Sequence, residues 1–282
     1  MRETLDSSDH LARSARAVVV SALILLLLTS CSRAPGVTVS AAQLRISGST
    51  SMTPLLDELA RSYATTHPSV RWEVRGGDSA MGMHDLRAGD VDLAGVSWKD
   101  PSATDPDGLL AVPIARDGLV IVVHPSNKVS ALTILQLRGL YRGETLDWTA
   151  VGGPDAEPEI ISREEGSGDR EAFESMVMGT DRVTLDALVM PTAQAVADYV
   201  SKHPAAVGYI SLAQIRDDVR TVPVEGVVAT PEQIGAGMYH LSRLLYLYAN
   251  SPPSPVVRDF LDFALSPEGQ AIVAHHHAPL RS

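Results

Sequence analysis

The feature that most constrains the fold is a change of hydrophobic period that repeats along the chain. QLRIS (43–47), VRWEV (70–74) and VDLAGVS (91–97) read as strands, while Leu55, Leu56, Leu59 and Tyr63, behind Pro54, recur at helical spacing. MGMHDLRAGD (81–90) reads as a short helix ending near Gly89. LLAVPIA (109–115) and LVIVVH (119–124) follow as two strands, the second apolar enough to be buried on both faces. The alternation continues through TILQLRGLY (133–141), EIIS (159–162), REAFESMVM (170–178), AQAVADYVSK (193–202), AVGYI (206–210), VRTVPV (219–224) and LLYLYA (244–249). Two helices, PVVRDFLDFAL (255–265) and PEGQAIVAHH (267–276), close it. Strands joined through helices run parallel, so the expected class is α/β with mainly parallel sheets. A composition of 45% apolar and 20% charged residues over 282 positions suits two globular lobes, each with its own core.

The first residues do not belong to that pattern. Arg13 and Arg16 precede an apolar run, AVVVSALILLLL (17–28), which leads into Thr29, Ser30 and Cys31. The run is short for a membrane span, and a basic flank, apolar core and small-residue exit mark an export signal over 1–30. LTSC at 28–31 resembles the lipobox of bacterial lipoproteins, which implies cleavage before Cys31 and lipidation of its thiol, as with palmitate. Cys31 is the only cysteine, so no intramolecular disulfide is available and the thiol is free to serve an anchor. The competing interpretation is a plain signal peptide or transmembrane anchor ending in a chance cysteine. Glu3, Asp6 and Asp9 are unusual before such a run and point to a start downstream of Met1.

Residues 1–30 contain as many acidic as basic side chains, so the exported part keeps the formal charge of −11. That excludes nucleic acid as an expected partner, because binding a phosphate backbone needs basic surface. A small anion remains admissible, since it responds to local donors and helix ends.

In α/β sheets ligands sit where strand ends meet helix N-termini. Three such junctions are rich in small donors: SGSTSM (47–52), RGGDSAMG (75–82) and SREEGSGDREAF (162–173). Glycine permits close backbone approach, and Ser or Thr adds a hydroxyl to the free amides of a first helical turn. Each loop alone is better explained as helix capping with no ligand. Three in one chain, with Arg163 leading the third, favour an anion cradle.

Taken in order, GSTSM followed by PLL, GGDSAMGMHDLRAGDVDLAGVS, RDGLVIVVHPSN, LRGLYRG, REEGSGDR, AVGYI and FLDFALSPEGQ resemble the phosphate-binding proteins of bacterial phosphate ABC importers, from about residue 44 to the C-terminus. The resemblance implies a two-lobe periplasmic-binding-protein fold of type II, a Venus flytrap with mainly parallel central sheets joined by crossing strands near 119–125 and 240–250. Lobe one would be 43–120 with 245–282, lobe two 121–244, and 31–42 a linker after the lipidated cysteine. By position, the resemblance implies ligand contacts from Ser49, Thr50 and Ser51, from Ser79, and from Arg163, Ser167, Gly168 and Asp169. Arg163 would clamp two ligand oxygens with its planar fork, or else form an ordinary salt bridge.

Two positions depart from the family pattern. Trp98 follows the third strand where several members place an anion-touching aspartate or arginine, and Asp169 stands where threonine is usual. A carboxylate can accept the hydrogen bond of protonated phosphate, whereas fully ionised sulfate has nothing to donate. Asp169 could therefore supply the discriminating acceptor. Three alternatives stay open: Asp169 complements the helix end, it pairs with Arg163 or Arg170, or the ligand is a phosphoester or cationic metabolite on which Trp98 stacks.

Enzyme chemistry is not expected. GDSA (77–80) lacks the last glycine of G-x-S-x-G, since Met81 stands there. Adjacent Glu164 and Glu165 point apart, and His275, His276 and His277 cannot all face one metal ion from a helix. The expected protein is an extracytoplasmic, lipid-anchored, monomeric solute-binding protein that needs no cofactor or metal. It captures inorganic phosphate for the transmembrane subunits of an ABC importer and touches membrane through its anchor only. A surface anion sensor, or a binder of another oxyanion or phosphoester without transport, is the alternative.

Overall fold

The computed structural model describes residues 42–98 and 108–280. The expected export signal, the linker as far as residue 41 and Cys31 lie outside the described residues. The described elements run β1 (Ala42–Ser49), α1 (Thr53–Thr66), β2 (Val70–Gly77), α2 (Ser79–Ala88), β3 (Leu93–Val96), β4 (Leu109–Val123), α3 (Ile134–Tyr141), β5 (Glu159–Arg163), α4 (Gly168–Phe173), β6 (Leu188–Met190), α5 (Ala193–Val200), β7 (Ala206–Ser211), β8 (Arg220–Val222), α6 (Pro231–Gly235), β9 (Ser242–Asn250), α7 (Pro255–Leu265) and α8 (Pro267–Val273). A π-helical turn, Glu174–Met178, extends α4.

Local chemistry sets many of these boundaries. Proline in the first turn opens α1, α6, α7 and α8, where its missing N–H costs no helical bond. Thr133 and Gln136 form a reciprocal capping box at the start of α3. The sequence reading missed β6 and α6, which are too short to show a period.

The strands lie in the order β2-β1-β3-β9-β4-β7-β5-β6, with β8 also on β4. Parallel pairing joins β1 to β2 and β3, and β5 to β6 and β7. Among the described strands, every antiparallel ladder involves β4 or β9, the two strands that link the halves of the sheet.

The two strands expected at 109–115 and 119–124 are one strand, β4. Its N-terminal part pairs with β9 as far as Gly118, and its C-terminal part pairs with β7 and β8 from Leu119. Arg116 and Asp117 broke the apolar pattern without breaking the strand, because Asp117 is matched across the ladder by Arg243. An interior strand tolerates a charge that its neighbour neutralises.

Each half of the sheet is covered on both faces. On one half, Leu44, Ile46, Leu59, Leu247 and Phe260 form one core, and Leu86, Val91, Ala94 and Val96 pack the other face. On the other half, Leu119, Ile121, Tyr141, Trp148, Phe173 and Tyr209 lie on one side, and Val120, Val122, Ile161 and Val196 on the other. Successive residues of LVIVV thus alternate between two cores, each fully buried side chain contributing about 1.5–3 kcal/mol. Phe173 stacks on Tyr209 at 4.3 Å between ring centroids, which fixes α4 against β7.

Candidate functional site

Because β1, β2 and β3 are parallel, their C-terminal ends share one edge, and the loops 49–52 and 77–79 and residues Ser97–Trp98 emerge together. Four buried hydroxyls meet there. Ser49 Oγ lies 2.7 Å from Ser51 Oγ and donates to Ser97 Oγ at 2.9 Å. Ser97 in turn donates its backbone N–H to Ser79 Oγ at 3.2 Å. Asp78 caps α2 by accepting from Met81 N–H at 2.8 Å, so GDSA is a helix entry whose serine faces inward.

From the other half, β5 delivers Arg163 and the turn into α4. Gly166 takes φ +86°, which a side chain would strain, and Ser167 is the N-cap. Gly168 is required by close approach: a Cβ there would lie 2.4 Å from both Ser79 Oγ and Ser97 Oγ. The halves also meet through Ala80 N–H donating to the Gly166 carbonyl at 3.3 Å and Gln214 Nε2 donating to the Thr50 carbonyl at 3.4 Å.

Charge concentrates at the same point. Asp169 is 1% exposed, and its Oδ1 accepts from Arg243 Nη2 at 2.6 Å and from Ser51 Oγ at 3.2 Å. Its Oδ2 accepts from Arg163 Nη1 at 3.2 Å. Arg163, itself buried, spends Nε on the Met190 carbonyl and Nη2 on the Pro191 carbonyl, which ties the end of β6 to the site. Arg243 also bonds Asp117 Oδ2 at 2.8 Å through Nη2 and the Gly168 carbonyl at 3.3 Å through Nη1.

Asp117 takes a bond from Ser211 Oγ at 2.9 Å and lies 3.3 Å from His277 Nδ1, an ion-pairing distance without hydrogen-bond geometry. Burial alone would raise the Asp117 carboxyl, but Arg243 and His277 hold it down at about 2. Burial disfavours the Arg243 charge, and the two facing carboxylates more than offset it, so its pKa is raised.

Ser49, Ser51, Ser79, Arg163, Ser167, Gly168 and Asp169 therefore converge. Thr50 stands at the edge, its N–H taken by the Gly77 carbonyl at 3.1 Å rather than free for a ligand. Trp98 is half-buried and packs against the core that holds Phe173, so lobe packing describes its side chain. Arg170 is not a partner of Asp169; it pairs with Glu174 at 2.8 Å. The histidine run divides, with His275 exposed on Glu58 and His277 buried beside Asp117.

Sequence reasoning missed Ser97, Arg243, Asp117 and His277. Ser97 had a signal, being a hydroxyl at the end of the third strand. The other three had none, because they lie far apart in the chain and meet only through the β4–β9 register and the segment after α8.

A cavity of about 450 Å³ lined by Leu140, Leu146, Pro158, Leu188 and Tyr199 shares no residue with this cluster. A second, of about 390 Å³, opens at its margin between Thr50, Pro54, Thr192 and Gln214. Among the described residues, no group of three or more His, Cys, Asp or Glu side chains could hold a metal ion, and no helix is long and apolar enough to cross a membrane.

The family model described as a PBP superfamily domain matches residues 34–268. Phosphate-binding protein PstS of Borreliella burgdorferi is 27% identical over 243 residues, covering 81% of this chain and 86% of that protein. Among solved structures, a phosphate ABC transporter substrate-binding protein from Clostridium perfringens, described with bound phosphate, superposes with a TM-score of 0.80 at 32% identity, covering 85% of this chain and all of that one. An ABC-type phosphate transport receptor from Vibrio cholerae gives a TM-score of 0.71 at 30% identity over 84% of this chain and all of that one.

Proposed function

From the premise that this chain belongs to the PBP superfamily, we propose that it captures inorganic phosphate between two lobes and presents it to an ABC importer. The observation that carries this reading is the convergence, from both halves of the sheet, of buried Ser49, Ser51, Ser79 and Ser97 with Arg163, Gly168 and Asp169. Hydroxyls, a guanidinium and a glycine-framed helix start suit an oxyanion.

Asp169 fits phosphate in particular. A carboxylate offers about four lone-pair sites. Ser51 and Arg243 take those of Oδ1 and Arg163 takes one on Oδ2, which leaves one to accept a hydrogen bond. Phosphate near neutral pH keeps a proton to donate and sulfate does not, so the residual acceptor favours phosphate by up to ~10⁴. Arg163 binds the anion through the N–H groups not held by Met190, Pro191 and Asp169. Binding needs no bond making, cofactor or metal.

Lobe one comprises 43–120 with 245–282 and lobe two 121–244, hinged where β4 changes partners at Gly118–Leu119 and where β9 runs beside it. The basic flank, apolar run and Cys31 of the sequence support an exported protein held on a lipid anchor, acting as a monomer that docks its lobe tips on the importer's transmembrane subunits. Calorimetric titration of residues 32–282, stripped of anion, with phosphate and sulfate tests the ligand. Tight phosphate binding with sulfate silent is expected; silence of both would overturn the reading. Replacement Cys31→Ser releases the protein from the membrane fraction if the anchor is real.

A further inference from the structure

Arg243 lies on no loop of the cradle, yet it reaches two residues of it. Its Nη1 donates to the Gly168 carbonyl and its Nη2 to Asp169 Oδ1, while Nε and Nη2 both hold Asp117 Oδ2. A buried ion pair between adjacent strands needs no third partner, and for stability alone an apolar pair would serve as well. Here the same guanidinium is extended from the strand pair to the start of α4. The groups facing it are Asp117 on β4, Asp169 on α4 and, through Asp117, Ser211 at the end of β7 and His277 after α8.

Resting on the phosphate-binding reading above, we propose that Arg243 is a positioning residue for anion selectivity, which fixes the Asp169 carboxylate so that its one remaining lone pair faces the ligand. The geometry supplies the reason. Arg163 holds Oδ2 and Arg243 with Ser51 holds Oδ1, so the carboxylate plane is pinned from two sides. With either guanidinium gone the group can rotate, and its free lone pair no longer faces the ligand in one fixed direction. Asp117 and Arg243 stand opposite each other on β4 and β9, the strands that link the lobes, so the orientation of Asp169 is tied to the hinge as well as to its own loop.

The test uses two variants of the full chain. Arg243→Lys keeps the buried charge but cannot reproduce the planar fork. The double variant Asp117→Asn with Arg243→Gln removes one charge of each sign and leaves Asp169 to Arg163 and Ser51. Phosphate and sulfate affinities of each, with melting temperatures to verify folding, are compared with wild type. The phosphate-to-sulfate preference is expected to fall by about 10- to 100-fold in both, the range of one charge-assisted hydrogen bond. An unchanged preference overturns the role, and so does an equal loss for both anions, which marks structural support only. Wild-type protein that binds neither anion removes the function itself, and this role with it.

Discussion

Asp117 and Arg243 are direct partners across the antiparallel β4–β9 ladder, and their side chains close a 2.8 Å ion pair with neither side chain exposed. The sequence separation is wide, so only the register of two crossing strands makes the pair. Breaking it takes away one of the two carboxylates that match the buried Arg243 and leaves Asp169 as the other, so the cost stays below the roughly 3–5 kcal/mol of a fully unmatched charge. Asp117→Asn should therefore lower the urea midpoint at pH 7 by a corresponding amount. An unchanged midpoint would show that the pair contributes nothing net.

The same carboxyl sets an acid response. Its folded value near 2 lies below the unfolded value near 4, so its contribution is complete above about pH 5 and lost as pH falls through 4 towards 2. Linkage makes the loss on the order of 2 kcal/mol. Melting temperature should fall over that interval more steeply in wild type than in Asp117→Asn, and parallel curves would contradict the assignment.

Gly168→Ala places a methyl within 2.4 Å of the Ser79 and Ser97 hydroxyls. Overpacking of this kind costs about 1–3 kcal/mol. Since the clash falls between the two halves, phosphate affinity should weaken by roughly 5- to 100-fold while each core stays intact. Titration beside a melting curve separates the two effects; loss of folding with unchanged affinity in the folded fraction would reverse the interpretation.

Asp169→Asn keeps the shape of the side chain and replaces an acceptor-only group by one that can also donate. Sulfate binding, expected to be silent in wild type, should appear and the phosphate preference should drop by at least about tenfold. Competition of the two anions at pH 8 reads this directly. A preference equal to wild type would reduce Asp169 to a partner of Arg163 and Arg243.

Ser97→Ala removes the hydroxyl that accepts from Ser49 and sits beside Ser79. Loss of that neutral hydrogen bond costs about 1 kcal/mol of stability, and a hydroxyl that also bonds the anion should carry a further, about fivefold, loss of phosphate affinity. A change confined to stability would make Ser97 a packing residue.

The strand and helix segments were legible wherever a period ran for a turn or more. LVIVVH announced a strand buried on both faces, and Val120 to Val123 are indeed divided between two cores. The three donor-rich loops were legible because glycine and serine at a strand-to-helix junction have a local meaning. Arg116 and Asp117 misled the boundary of β4, since a charge read in isolation looks like a loop and its neutralising partner lies on another strand.

What the sequence determined by itself was local: element type, the capping residues, and which backbone segments could approach an anion, all set by the chemistry of neighbours along the chain. Only the tertiary structure decided which carboxylate, guanidinium and hydroxyl share one buried volume. Asp169 met Arg243 and Ser51 because the crossing strands and the packing of α4 brought them within hydrogen-bond reach. Interactions of that kind depend on distance through space, and spacing along the chain carries no record of it.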